Sequence, residues 1–429
     1  LNQWLTDLEN RRPEHDMLLG TDRMKKVLPA VIGTKKIAKK IITITGTNGK
    51  GSTVALLEQM LKETGVRYGT TTSPHMFKIN ERICINGHCA SDATICAAFE
   101  KIEQKRGDVF LSYFEFIAMT AFDIFAQYDL DVAVLEIGLG GRLDAINAID
   151  PDIAIITTVD LDHQSSLGDT IEQIAAEKAG IYRPGIPALY GDTPIPQSVS
   201  KKVQETGAQA FFRNQEFMIK ENKDSWIFQG KDYSDNAITL ENLPKPSLAF
   251  TSAICMVQTA LLLGPFVNYQ HIIAGLQKTK LFGRNFCKTV TTPTNATVNI
   301  RFDIAHNPQA ARNFAGILSE LPVKGQRIAL FAMAQEKDFK QTLEPLIAHF
   351  DQWHVATIAY KPRALKGQYI YDWLKNQVSS VICHDTLPEA ASVIISQLKT
   401  GDELVVFGSH YTVSETFNIL CDEAAVAPA

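Results

Sequence analysis

The sequence is poor in cysteine and has no long apolar run. Seven cysteines in 429 residues, an odd number, favour reduced thiols over a disulfide framework. A membrane-spanning helix needs about 20 consecutive apolar residues, and no such run occurs. The first residues, LNQWLTDLENRRPEHD, also lack the basic and then apolar order of a signal peptide. We therefore expect a cytoplasmic protein with no membrane partner.

The sequence also lacks an excess of basic residues. Lysine and arginine number 42 against 47 acidic residues, which gives a formal net charge of -5. A balance of this sign argues against a general nucleic-acid binder, so we expect no nucleic-acid partner. The 45% of hydrophobic and 21% of charged residues are typical of a globular protein. The length predicts about two or three domains.

The standard phosphate-loop pattern, G-x-x-x-x-G-K-[ST], is also absent, although residues 41–65, IITITGTNGKGSTVALLEQMLKETG, come close to it. Ile44 occupies the position of the first glycine, and Gly51 separates Lys50 from Ser52. The segment still predicts a strand, a glycine-rich turn and a helix. Backbone N–H groups in such a turn and the positive N-terminal end of the helix attract phosphate. We therefore predict that residues 47–52 bind a nucleotide and that Lys50 neutralises its phosphates; a plain glycine turn is the alternative.

Short apolar runs alternate with helical patterns along the chain, which predicts an α/β fold. Up to about residue 190, runs such as IITIT, DVAVLEIG and IAIITTV predict a doubly wound, mostly parallel sheet of the P-loop type. Residues 208–230, AQAFFRNQEFMIKENKDSWIFQG, then predict a small antiparallel patch. The alternation restarts at ATVNIRFDIA. We expect a larger domain, residues 1–285, and a smaller Rossmann-like α/β domain, residues 286–429.

Polar residues follow the predicted strands of the first domain at their carboxyl ends. Ser73 follows YGTTT, Glu136 ends the run VAVLE, and His163 follows IAIITTV. Ligands of open α/β sheets bind at this edge, so we expect these residues to share one site. A buried lone acid such as Glu136 is costly unless it is paired or bound to a metal, and Mg²⁺ prefers oxygen ligands. From each residue taken alone, an ordinary turn residue is the better interpretation of Ser73, and an ordinary loop histidine that of His163.

Lys178 has an unusual place in the helix predicted from DTIEQIAAEKAG. The helix begins with a capping box, Thr170 to Gln173, and Lys178 continues the apolar face of Ile174 and Ala175. A buried lysine has a lowered pKa, which leaves the amine free to act as a base or to capture CO₂ as a carbamate. The alternative is a lysine whose amine reaches the surface.

Two further groups of residues could bind ligands. Cys84, His88, Cys89 and Cys96 could hold zinc, although ERICINGHCAS is more simply a hairpin with an Asn86-Gly87 turn. In the second domain, FDIAHNP places Asp303 and His306 at the end of a strand. Arg284, near the domain boundary, could contact phosphates when the domains close; a boundary salt bridge is the alternative.

Eight segments together resemble the folylpolyglutamate synthases of the Mur ligase superfamily, most closely the bacterial bifunctional dihydrofolate synthase/folylpolyglutamate synthase family. They are TGTNGKGS, TSPH, LSYFEF, LEIGLGGRLDAIN, LDH, EKAGIYRPG, FGRN and FDIAHNP. The resemblance covers nearly the whole chain. It implies an ATP-dependent amide ligase that uses two Mg²⁺ ions and an acyl-phosphate intermediate. Its implied substrates are L-glutamate with dihydropteroate or reduced folates, and a monomer is the implied state.

The resemblance also implies roles for individual residues. The implied nucleotide contacts are Thr47, Asn48, Gly49, Lys50, Gly51, Ser52, Thr251, Arg284, Asp303 and His306. The implied metal ligands are Ser73, Glu136 and His163, and the implied catalytic residues are Lys50, His163 and Lys178, the last as a carbamylated lysine. The implied pterin contacts are Leu18, Leu19, Gly20, Thr21, Ser112, Tyr113, Phe114, Glu115, Leu143, Asp144 and Ala145.

Five positions depart from the family pattern: Ser52, Ile146 and Gln164 stand where threonine is usual, Asn285 where an aromatic is common, and Thr251 where asparagine is usual. The departures lie nearer the pterin and adenine pockets than the phosphates.

Three other functions remain as alternatives. A Mur-type ligase acting on a cell-wall precursor would use the same phosphate loop and the same chemistry. A phosphate-loop kinase or ATPase would carry the standard loop pattern. An inactive nucleotide-binding module would be expected to lack residues such as Lys50, Glu136 or Lys178, and all three are present.

Overall fold

The structure is a computed structural model and describes residues 1–16, 18–359 and 363–421. It divides into two compact units, the first ending at Thr279 and the second beginning at Lys280. The boundary expected from the sequence lies later, directly before the strand that begins at Phe286. Residues before that strand belong with the second unit because they are hydrogen-bonded to it: the N–H of Ile304 donates to the carbonyl of Gly283 at 2.9 Å.

The described part of the first unit contains an eight-stranded, mostly parallel sheet. Its strands are β1 (Lys40–Thr45), β2 (Tyr68–Thr71), β3 (Ile83–Ile85), β4 (His88–Cys89), β5 (Val132–Glu136), β6 (Ile153–Ile156), β7 (Pro187–Tyr190) and β8 (Gln209–Phe212). Their spatial order is β4-β3-β2-β5-β1-β6-β7-β8. β3 pairs antiparallel with both of its neighbours, β2 and the edge strand β4. All other neighbouring strands of this sheet pair in parallel. The predicted fold class is confirmed.

The central strands are covered on both faces. Every residue of β5, and every residue of β1 after Lys40, is buried. This is the pattern of parallel strands between two helical layers, and it explains why β5 is apolar up to Glu136 and why β1 has no charged residue after Lys40. The helices are α1 (Asn2–Arg11), α2 (Asp22–Ile32), α3 (Lys50–Thr64), α4 (Asp92–Lys105), α5 (Tyr113–Phe125), α6 (Gln164–Leu167), α7 (Ile171–Ala179), α8 (Gln197–Thr206), α9 (Phe250–Leu262) and α10 (Tyr269–Lys278).

The segment predicted as an antiparallel patch divides between two sheets. Its first strand, β8, pairs in parallel with β7 and extends the large sheet. The remainder forms an antiparallel sheet of β9 (Met218–Glu221), β10 (Ser225–Lys231) and β11 (Ala237–Pro244). The prediction was therefore wrong for residues 209–212, because strand pairing depends on the neighbouring strand and is not encoded in the run AQAFF itself.

The second unit has a sheet of its own in the order β12-β13-β17-β14-β15-β16. Its strands are β12 (Phe286–Thr291), β13 (Thr297–Asp303), β14 (Arg327–Phe331), β15 (Gln352–Thr357), β16 (Val381–Thr386) and β17 (Glu403–Phe407). Its helices are α11 (Pro308–Glu320), α12 (Phe339–Leu343), α13 (Gly367–Leu374), α14 (Leu387–Gln397) and α15 (His410–Cys421). In neither unit is any described helix long and apolar enough to cross a membrane.

A buried ion triad joins three strands of the second unit. Glu403 on β17 accepts hydrogen bonds from Arg301 Nε at 2.9 Å and from Arg327 Nε at 2.7 Å. All three side chains are less than 10% exposed. Arg327 also donates to the carbonyls of Leu318 and Leu321, near the end of α11. Removing the carboxylate would leave two buried guanidinium groups without their counter-charge.

We predict that Glu403→Ala destabilises the second unit by about 3–5 kcal/mol, the usual cost of breaking a buried ion pair. Amide hydrogen exchange of β13, β14 and β17 measures the free energy of opening. Asp372→Ala is the matched control, because Asp372 and Lys375 form an exposed pair that contributes about 1 kcal/mol or less. Equal protection from amide hydrogen exchange in the two variants would contradict a stabilising role of the buried Glu403 triad.

Candidate active site

The loop between β1 and α3 passes so close to the end of β6 that its first residue must be glycine. Gly46 has a φ of 154°, and a Cβ there would lie 1.9 Å from Thr157 Oγ1. Gly49, the N-cap of α3, is left-handed with a φ of 87°. The first N–H groups of a helix have no partner within the helix, so the start of α3 can receive an anion.

Hydroxyl groups from two distant segments hold this loop. Thr157 Oγ1 donates to the carbonyl of Asn48 at 2.5 Å, and the N–H of Asn48 donates to Thr158 Oγ1 at 3.1 Å. Ser252 Oγ on α9 donates to the carbonyl of Gly49 at 3.0 Å. None of the three hydroxyl residues, Thr157, Thr158 and Ser252, is predicted from the sequence. For the threonines a signal was available, since they directly follow the apolar run of β6.

Glu136, at the carboxyl end of β5, lies beside the same loop. Its side chain is 5% exposed, and the N–H of Ser73 donates to Oε2 at 3.1 Å. A Cβ on Gly51 would lie 3.7 Å from Oε2, and Lys50 Nζ donates to the carbonyl of Gly46 at 2.9 Å. The structure thus brings together the loop, Ser73 and Glu136, as expected from their positions at strand ends. Their role as metal ligands stays a prediction.

His163 begins α6 in the left-handed conformation, with a φ of 51°. Its N–H donates to Asp162 Oδ1 at 2.8 Å, and its ring Nε2 lies 4.0 Å from the same oxygen. A left-handed backbone is uncommon outside glycine and fixes the direction in which the ring leaves the chain. The contribution of His163 to a metal site also stays a prediction.

Lys178 lies on the buried face of α7 and is 3% exposed. Burial and, to a lesser extent, the positive charge of Lys50 lower the pKa of its amine to about 7, against the opposing charges of Asp162 and Asp144. A substantial fraction of the amine is therefore neutral at neutral pH. The interpretation of Lys178 as a surface-reaching lysine is wrong, since its side chain is enclosed.

One loop, residues 138–145 after β5, connects the phosphate loop with the other expected contacts. Thr45 Oγ1, at the end of β1, donates to the carbonyl of Gly140 at 2.5 Å. A Cβ on Gly141 would lie 2.8 Å from the carbonyl oxygen of Lys178. The N–H of Gly20 donates to the carbonyl of Leu143 at 2.8 Å. This loop, which we call the linking loop, therefore touches β1, α7 and the stretch around Gly20.

The first two stretches implied for the pterin are joined by an arginine that the sequence analysis does not single out. Arg23 Nε donates to Glu115 Oε1 at 2.9 Å, and Arg23 Nη2 donates to the carbonyl of Leu18 at 2.9 Å. Ser112 and Glu115 form the capping box of α5. Residues 18–21, 112–115 and 143–145 thus lie together, while their contacts with a pterin stay a prediction.

Asp144 on the linking loop is an enclosed carboxyl group. It accepts hydrogen bonds from the N–H groups of Leu139 and Ile146, each at 2.9 Å. Burial raises its pKa to about 6, although these backbone donors and the charge of Lys50 oppose the rise. A contact between Asp144 and a pterin stays a prediction.

In the second unit, the carboxyl group of Asp303 lies within the electrostatic influence of Arg284 and His306. Asp303 accepts hydrogen bonds from the N–H groups of Asn285 and Ala305, each at 2.8 Å. Burial raises the pKa of Asp303, while the charges of Arg284 and His306 act to lower it. Contacts between these three residues and ATP stay a prediction.

The segment considered for zinc forms the predicted hairpin. Asn86 and Gly87, with φ of 50° and 79°, make the turn between β3 and β4. Across the described residues, no group of three or more His, Cys, Asp or Glu side chains is arranged to hold a metal ion. The hairpin interpretation is confirmed.

The comparisons with known proteins agree on one family. The model of the Mur ligase middle domain matches residues 44–235, and that of the Mur ligase glutamate ligase domain matches residues 288–410. The dihydrofolate synthase/folylpolyglutamate synthase of Escherichia coli strain K12 is 34% identical over 420 residues, which cover 98% of this chain and 95% of that protein. The chain belongs to the dihydrofolate synthase/folylpolyglutamate synthase family. The resemblance inferred from the eight segments is confirmed.

Solved structures of the family have the same fold. Escherichia coli FolC in complex with DHPP and ADP has a TM-score of 0.88 and 33% identity, over 98% of this chain and 97% of that one. The Yersinia pestis bifunctional folylpolyglutamate synthase/dihydrofolate synthase complexed with AMPPNP and Mn ion has a TM-score of 0.86 and 34% identity, over 98% and 97%. Membership of this family excludes the phosphate-loop kinase interpretation.

The residues present fit a magnesium–nucleotide complex of the kind that the family requires. Mg²⁺ takes one or two protein carboxylates and completes its shell with water and phosphate oxygens, so a cluster of three protein acids is not needed. Glu136 supplies a buried carboxylate next to the backbone of Gly51. Gly46 and Gly49 let the loop lie against Thr157 and Ser252, whose hydroxyl oxygens would be 1.9 and 2.8 Å from a Cβ at the two positions.

Thr251, which stands where the family usually has asparagine, is the second residue of α9. Its neighbour Ser252 contacts the phosphate loop, so the start of α9 lies at the nucleotide end of the predicted site. An adenine contact by Thr251 stays a prediction.

We predict that Gly46→Ala weakens ADP binding by roughly 10- to 100-fold, since a displacement of about 1 Å in a binding loop has effects of this size. Isothermal titration calorimetry with Mg-ADP measures the change. Gly65→Ala is the matched control. It also replaces a left-handed glycine next to α3, but a Cβ at Gly65 meets nothing within 4 Å, so its affinity for ADP should match that of the unsubstituted protein.

Proposed function

We propose that this chain is an ATP-dependent ligase that joins the α-amine of L-glutamate to the carboxyl group of dihydropteroate, forming dihydrofolate, and that also adds glutamate to reduced folates. Family membership over 98% of the chain supports this function. All residues assigned to the reaction lie on this one chain, so the proposal requires no second copy.

The contacts of the linking loop are the main structural support for this proposal. It bonds to Thr45, which precedes the phosphate loop, and packs on the backbone of Lys178. It also bonds to Gly20 and contains Asp144. These contacts support a proposal in which the phosphate site and the pterin site are connected by one short segment.

The phosphate loop prepares the first step. The N–H groups at the start of α3 and the ammonium of Lys50 offset the negative charge that develops as the γ-phosphoryl group passes to the substrate carboxylate. Bound Mg²⁺ would supply further charge stabilisation on the phosphate oxygens, with Glu136, Ser73 and His163 as its proposed ligands. The resulting acyl phosphate is attacked by the amine of glutamate. The amide forms as inorganic phosphate leaves.

Lys178 contributes through its neutral amine. We propose that this amine adds to CO₂ and loses a proton, which yields a carbamate with two oxygen ligands for a cation. A pKa of about 7 favours the step, because only the neutral amine reacts with CO₂. The carbamate places a negative charge near Lys50, which stabilises it, while the charges of Asp162 and Asp144 oppose it.

The function is tested by measuring ADP release with Mg-ATP and L-glutamate, adding dihydropteroate or tetrahydrofolate in turn. Release that requires both glutamate and dihydropteroate is expected, and release with tetrahydrofolate would establish the lengthening activity as well. Lys50→Ala, assayed in parallel, controls for contaminating ATPases.

Two other outcomes would overturn the proposal. Release that depends on a cell-wall precursor instead of a pterin would assign the chain to another branch of the Mur ligases. Binding of ADP without any release, whatever the acceptor, would indicate an inactive nucleotide-binding protein.

We predict that Lys178→Ala lowers the rate of ADP release by roughly 100-fold or more, because the carbamate oxygens are lost from the charged site. Added acetate or another short carboxylate should restore part of the rate by taking their place. Lys105→Ala, at the exposed end of α4, is the control and should keep the full rate. Full activity of Lys178→Ala without added carboxylate would remove the carbamate from the mechanism.

A further inference from the structure

The hairpin of β3 and β4 holds two cysteines face to face. Cys84 on β3 and Cys89 on β4 are direct cross-strand partners, and their sulfur atoms are 3.3 Å apart. Both are free thiols, and both are partly exposed. The proposed ligase function uses neither of them.

The register of the hairpin suits a covalent bond between these residues. The N–H of Ala90 donates to the carbonyl of Ile83 at 2.8 Å, which makes Ile83 and Ala90 a hydrogen-bonded pair. Hydrogen-bonded and non-hydrogen-bonded residue pairs alternate along an antiparallel pair of strands. Cys84 and Cys89 are adjacent to the pair Ile83 and Ala90, so they form a non-hydrogen-bonded pair. In such pairs the Cα atoms are about 4.5 Å apart and the side chains are closer than in the other kind. A disulfide spans Cα separations of about 4.4–6.8 Å.

The two thiols are not equivalent, which sets the order of their reactions. Cys84 donates a hydrogen bond to Cys89, and this bond lowers the pKa of Cys89 while burial and the charges of Glu81 and Glu58 oppose it. The same hydrogen bond, with burial, raises the pKa of Cys84. Cys89 is therefore the better nucleophile, and Cys84 is held at its side as the resolving thiol.

We propose that Cys84 and Cys89 form a redox modification site that closes to an intramolecular disulfide by exchange with a small disulfide such as oxidised glutathione. The Cys89 thiolate attacks one glutathione sulfur, forming a mixed disulfide and releasing one glutathione thiolate. Cys84 then gives up its proton and attacks the sulfur of Cys89, which releases the second glutathione. Two cysteine thiols are oxidised, and one glutathione disulfide is reduced to two thiols.

Contacts with β2 and with residues 76–77 attach this hairpin to the rest of the sheet. Cys84 also pairs with Thr70 on β2, the strand that leads to Ser73. The carboxylate of Glu81, just before β3, accepts hydrogen bonds from the N–H groups of Met76 and Phe77 at 2.7 and 2.9 Å. Closing from 3.3 Å to a bond of about 2.0 Å moves only the tips of two side chains on an already paired hairpin.

The test treats the whole chain with oxidised glutathione, followed by alkylation with iodoacetamide and mass spectrometry. We expect residues 83–101, a single tryptic peptide containing Cys84, Cys89 and Cys96, to lose the mass of two hydrogens. Cys84 and Cys89 should escape alkylation without gaining the mass of glutathione, whereas the exposed Cys287 should carry either the alkyl group or one glutathione. Dithiothreitol should restore both thiols.

Single substitutions assign the bond, and the readout requires no catalytic activity. Cys96→Ser should retain the link, whereas Cys84→Ser should stop at the first exchange and keep the mass of one glutathione on Cys89. Three results in the unsubstituted chain would overturn the proposal: continued alkylation of both cysteines, a lasting glutathione adduct on Cys89, or a link that includes Cys96.

Discussion

The parallel pairing of β1 with β5 on one side and β6 on the other is the constraint on which the site depends. Ile44 of β1 lies beside Glu136 of β5, and Thr45 lies beside Ile156 of β6. All three strands therefore end at one edge of the sheet. The phosphate loop, the buried carboxylate and the threonine that packs against Gly46 meet there without any side chain having to reach far. A change in this pairing would separate them, whatever the sequence of the loop.

The same edge concentrates buried charge, which costs stability. Lys178, Asp144 and Glu136 are each at most 5% exposed. Desolvation lowers the pKa of the lysine and raises that of Asp144, so both are brought towards neutral pH. Perturbed groups of this kind cluster at functional sites more often than elsewhere. In the second unit, by contrast, the buried charges of Glu403 and its two arginines are paired, which is the arrangement expected of a structural network.

One departure from the family pattern has a physical explanation in the structure. Asn285 stands where an aromatic residue is common and has a left-handed φ of 48°, a conformation that asparagine tolerates better than most residues. Its side-chain oxygen accepts a hydrogen bond from Arg301 at 2.6 Å, and its N–H donates to Asp303. Asn285 thereby fixes the segment that carries Arg284 onto β13.

Local features of this protein could be predicted from its residues alone: the strands and their polar ends, the capping box and buried face of α7 with Lys178, and the Asn86-Gly87 turn. Each is encoded by a short period or a turn preference that neighbouring residues supply. Which distant segments meet could be seen only in the folded chain. Thr157 holds Asn48 from 109 residues away, Ser252 holds Gly49 from 203, and Arg23 reaches Glu115 from 92. No local pattern marks such contacts, because they arise when the packed core brings the ends of separate strands and helices to the same place.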